Sequence, residues 1–70
     1  MIPPISEIQY SDLVSGKIKS VEHGKASVCY DPEFDEFVMK SKKCTHILPR
    51  ASNDVVAVSQ HWCMFAGFFS

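Results

Sequence analysis

Seventy residues with a formal net charge of -1 leave room for one small domain and supply no electrostatic footprint for DNA, RNA or an anionic membrane. A hydrophobic fraction of 46% excludes a disordered chain. At this size only about 60% of the unfolded surface is buried on folding, so association with another chain would add welcome stability.

In chain order, "MIPPISEIQY" has neither the basic start nor the unbroken apolar run of a signal peptide. No apolar stretch approaches the roughly 20 residues of a membrane-spanning helix. Cys29, Cys44 and Cys63 are odd in number and widely spaced, which fits reduced thiols in a cytoplasm better than a disulfide framework. Pro3 and Pro4 keep the start extended. Ser6 is suited to cap a short helical turn over Ser6 to Leu13, where Ile5, Ile8 and Leu13 are loosely periodic. Residues 1–13 thus read as an N-terminal extension or short helix of a single domain spanning 1–70.

From Val14 the pattern turns to β. In "SGKIKSVEHGKASVCY" two runs flank His23-Gly24, a pair suited to a tight turn. Ala26, Val28 and Tyr30 share one face of the second strand, with Ile18 on the inward face of the first. "DPEFDEF" breaks the sheet, because Pro32 cannot donate to a central ladder and four acids crowd together. "FVMKSKKCTHIL" reads as one long or two short strands ended by Pro49. Lys40, Lys42 and Lys43 read as a solvated strand edge. Ser52, Asn53 and Asp54 supply turn chemistry. "VVAVS" is rich in β-branched residues and predicts a strand, Gln60-His61 a turn, and "WCMFAGFF" a closing strand with a bulge at Gly67. The expected fold is therefore all-β: a five- or six-stranded antiparallel barrel of OB or SH3 type.

Chemistry-bearing patterns are sparse. On strands, Cys44 and His46 would share one face and His61 and Cys63 another, so adjacent strands would assemble the Cys2His2 set of a structural zinc site. The C-x-H and H-x-C spacings are not those of a zinc knuckle, and cysteine is often a plain buried hydrophobe. The expectation is no metal and no cofactor, with a zinc protein built on those four residues as the alternative. No phosphate-cradling glycine loop, nucleophile elbow or H-E-x-x-H motif is present, so no enzyme is expected. The acids Asp31, Glu33, Asp35 and Glu36 lack the glycine and the distant glutamate of a calcium loop. Phe34 and Phe37 inside that loop either fold back as core lids or form a partner-binding patch. In a regular last strand Trp62, Met64 and Phe68 share one face while Cys63, Phe65 and Phe69 share the other, and one small sheet has only one inside. The candidate partner-binding residues are thus Phe34, Asp35, Glu36, Phe37, Trp62, Met64 and Phe68.

From Ser15 to Phe69 the order of signals resembles the small OB-like β domains that accompany phage tail spikes and type VI secretion spikes. "SGKIKSVEHGKASVCY" is similar to their opening hairpin of G-x-[IV]-x-x-[IV]-x-x-G-x-x-x-V type. "CTHILPRASNDVVAVSQHWCMFAGFF" is similar in order and spacing to their Cys-containing strand, Pro, "G-D-x-V-x-V" strand and closing "G-x-[LF]" strand. Asn53 departs from that pattern, standing where a Gly precedes the Asp, and there is no spike or repeat region. The resemblance implies a barrel and a tail-associated role, and it carries over no functional residue. The resulting expectation is a non-catalytic protein-interaction or assembly module, phage- or mobile-element-encoded, that binds a protein partner or itself as a homo-oligomer and touches neither nucleic acid nor membrane.

Overall fold

A computed structural model describes residues 2–69. Helix α1 spans Glu7–Ser15, strands β1 to β4 span Val21–His23, Ala26–Asp31, Glu36–Lys40 and Thr45–Pro49, a 3-10 turn spans Arg50–Ser52, and helix α2 spans Val55–Phe68. The strands form one antiparallel sheet in the order β1-β2-β3-β4. Both helices pack on one face of it, giving a two-layer α+β domain.

This overturns the expected all-β barrel. The segments "VVAVS" and "WCMFAGFF", expected as the fifth and sixth strands, are one helix. Without them β1 and β4 stay on opposite edges of an open sheet. The helix wins because its start is capped and its burial is periodic. Asp54 sits in extended backbone as the N-cap, its Oδ1 accepting the Ala57 N–H at 2.9 Å. Val58, Trp62 and Ala66, four residues apart, are fully buried, so one stripe faces the sheet and the rest faces out. Gly67 lies inside the helix, where no bulge is formed.

Elsewhere the local signals lead to the elements they suggest. Ser6 caps α1 in a reciprocal capping box with Gln9, with bonds of 3.1 and 3.0 Å. Gly16 ends α1 at φ 83, its N–H donating to the Leu13 carbonyl at 3.3 Å. The first hairpin closes through Gly24 and Lys25, with Gly24 at φ 60 and His23 paired with Ala26. Ile18 precedes β1 rather than lying in it, yet packs against the core. The Lys-rich run splits into β3 and β4.

The inward sheet residues Ala26, Val28, Phe37, Met39 and Leu48 meet Ile5, Leu13, Val58, Trp62 and Ala66 in a single core. Tyr10 of α1 lies 5.1 Å from the Phe37 ring, which lies 5.3 Å from Tyr30. The N-terminal segment is tied to α2 by the Ile5 N–H, which donates to Ser59 Oγ at 3.1 Å. On the opposite sheet face the register lines up Cys29, Val38 and Ile47 across three strands, with no helix over them.

Candidate functional site

The four-residue capping period that buries Val58, Trp62 and Ala66 turns another stripe of α2 outward. His61, Met64 and Phe68 lie beside Cys44, Thr45 and His46, and with Phe65 and Phe69 they line an open groove of about 520 Å³ between α2 and the start of β4. The elements meet through the His46 and His61 rings, stacked with centroids 5.4 Å apart. Met64 is 74% and Phe68 81% exposed, and together in one groove they form an apolar patch of the kind that marks a binding surface. From Val55 to Phe68 the helix carries no Asp, Glu, Lys or Arg. β4 is an edge strand, so among the described residues no strand lies on the side of its backbone away from β3.

The partner-binding candidates divide. Trp62 and Phe37 are core residues. Met64 and Phe68 are exposed in the groove, and Phe34 is exposed on the turn between β2 and β3. Glu36 is half-buried in β3 opposite Pro49. Asp35 is engaged within the fold. It adopts a left-handed backbone at φ 53, where an Asp is tolerated better than most residues. Arg50 Nε donates to its Oδ1 at 2.5 Å and Nη2 to its Oδ2 at 3.0 Å, a bidentate fork. The Tyr30 hydroxyl donates to Oδ1 as well, and the Arg50 backbone N–H donates to the Asp35 carbonyl at 3.0 Å.

These contacts shift the groups in a consistent direction. Hydrogen bonds from Arg50 first, then Tyr30, hold the Asp35 carboxyl below its ordinary value. The bond to Asp35 pushes the Tyr30 hydroxyl up and does the same to the Arg50 guanidinium. The triad pins the β2–β3 turn to the segment after β4. Both carboxylate oxygens of Asp35 accept within the triad. Arg50 and Tyr30 were not singled out in the sequence, because no local spacing connects them with Asp35.

The alternative zinc set does not gather. Cys44 is exposed, His46 and His61 stack face to face, and Cys63 turns away to donate its thiol to the Ile2 carbonyl at 4.0 Å. Residues two apart on a helix point in nearly opposite directions, which separates His61 from Cys63. Among the described residues no three His, Cys, Asp or Glu side chains form a group that could hold a metal ion. Nor, among these residues, is any helix long and apolar enough to cross a membrane. Comparison with protein-family models, curated proteins and solved structures returned no match.

Proposed function

We propose that this chain is a non-catalytic protein-interaction or assembly module, acting on a protein partner or on copies of itself. The observation that carries this reading is the exposed pair Met64 and Phe68 on a helix without a charged residue, set beside an open strand edge. Apolar side chains gathered on one surface cost solvation free energy that a bound protein returns, at about 25 cal/mol per Å² covered. Among the described residues the one cluster of perturbed titratable groups, Tyr30, Asp35 and Arg50, is hydrogen-bonded within itself, which supports a non-catalytic role. Its free thiols suit a reducing cytoplasm.

The test is photo-crosslinking in cells, with a crosslinking residue placed at position 64 or, as control, at exposed position 17. Adducts to protein should form from position 64 and be absent from position 17. A position-64 chain that forms no adduct overturns the reading.

A further inference from the structure

We infer that the occupant of this surface is a second copy of the chain, its β4 pairing antiparallel with the first β4 across a two-fold axis normal to the sheet. This rests on the interaction surface proposed above and adds the partner and the mode of pairing.

The two sheet edges are unlike. β1 is only three residues long, and Lys17, Lys19, Glu22 and Lys25 surround it. Short length and charge are the usual guards against edge-to-edge pairing. β4 is five residues long, and Thr45–Pro49 contains no Lys, Arg, Asp or Glu. Its outward-facing Ile47 is 52% exposed. Pro49 takes one donor from the open side of that edge and leaves the N–H groups of Thr45 and Ile47 there, and beside it stand His61, Met64 and Phe68. A two-fold axis normal to the sheet keeps all helices on one face, so the two α2 stripes lie on the same side of a continuous eight-stranded sheet. Neither stripe brings a charged side chain, so self-association meets no like-charge repulsion there.

The charges at the sheet ends permit this pairing. Antiparallel pairing sets Lys42 and Lys43, in the turn before β4, beside the end of the other copy's β4, where the cation Arg50 is already paired with Asp35. The space required is also present. An ordinary interface takes roughly 800 Å² from each partner, about a sixth of the 4688 Å² surface. That is one side of a body measuring 26 × 21 × 21 Å.

Sedimentation velocity of the purified chain, from micromolar to near-millimolar concentration, decides the matter. The expected species has twice the 7.9 kDa chain mass. Two folded variants, checked by circular dichroism, probe the mode: Thr45→Lys with Ile47→Lys on the strand edge, and Met64→Asp with Phe68→Asp on the stripe. Each should weaken association by about tenfold or more, since like charges would face each other across the axis. A wild-type monomer throughout the range overturns the proposal. If position 64 still crosslinks to some other protein in cells, the interaction reading stands and only self-pairing falls. A dimer that survives the strand-edge substitutions overturns the strand pairing. The wild-type measurement decides even where a variant fails to fold.

Discussion

At the scale of single residues, Asp35 carries the most consequence. Its side chain is 42% exposed and that of Arg50 40%, so the pair is partly screened and should weaken in high salt. Because the folded carboxyl titrates below its unfolded value of 3.8, its contribution is complete above about pH 4. It is lost as pH falls through the lower, folded value. For Tyr30 the folded value lies above 10.0, so its contribution is complete below pH 10 and is lost as pH rises beyond the folded value. Thermal melts should therefore show Asp35→Asn with a lower midpoint at neutral pH and a flatter dependence on pH below 4 than the parent. The asparagine keeps the left-handed backbone but loses the charge and one of the two acceptor oxygens of the Arg50 fork. Equal acid slopes for the two chains would sink this account. Gly16→Ala tests a purely conformational requirement, since a Cβ there meets nothing within 4 Å but must sit at φ 83. It should cost about 1 kcal/mol in urea unfolding. Little of this was legible beforehand: Asp35 reads as one of several self-repelling acids, and its partner lies fifteen residues away in sequence.

At the scale of elements, the C-terminal helix shows where sequence patterns mislead. Val55, Val56 and Val58 are β-branched and favour strands by propensity. The following "WCMFAGFF" is a short, unbroken apolar run rich in aromatics, which imitates a buried strand. Two signals in the same residues point the other way: Asp54 in capping position, and apolar residues recurring at 58, 62, 65, 66 and 69. Tertiary burial decides between them, and a propensity worth tenths of a kcal/mol per residue yields to a buried tryptophan. Trp62 is 1% exposed, and Trp62→Ala should cost about 3–5 kcal/mol. In a domain this small that amounts to most of the stability, so the variant should be largely unfolded by circular dichroism at room temperature. By contrast α1 was readable, because Ser6 and Gln9 form a local capping signal that needs no long-range contact. Ser6→Ala should lower stability by about 1 kcal/mol in urea titration.

For the whole molecule, β2 to β4 and the alternation of β2 were legible, while the start of β1, the C-terminal helix and the closure were not. Inward Ala26, Val28 and Tyr30 follow from period-two patterning, and the register confirms that face. A barrel needs its last strand to reach back to its first, and that inference depended on reading α2 as two strands. With α2 helical, the apolar surplus of the C-terminal segment is shared between the core and the groove beside β4. The candidate surface was legible only in part: Met64 and Phe68 are exposed while Trp62 is not, a separation set by the helical period of 3.6. Thiol access follows from the same packing. In the folded protein Cys44, which is exposed, should react with a thiol reagent before Cys29 and Cys63, which are half-buried. Mass spectrometry after a short labelling pulse would show the order.

The bond from Ile5 to Ser59, spanning fifty-four positions, has a consequence for the order of events during synthesis. The sheet's inner face is complete in sequence at Leu48, yet Val58, Trp62 and Ala66, which share its cover with Ile5 and Leu13, come later. A nascent chain that stops at Asp54 holds four strands whose apolar face only Ile5 and α1 can cover, so it should stay largely unstructured or be held by chaperones. Non-local closure of this kind slows folding and delays it until α2 has been made. Arrest-peptide force measurements on the ribosome should thus register one late pulling event, after α2 clears the exit tunnel, with no earlier one for the sheet.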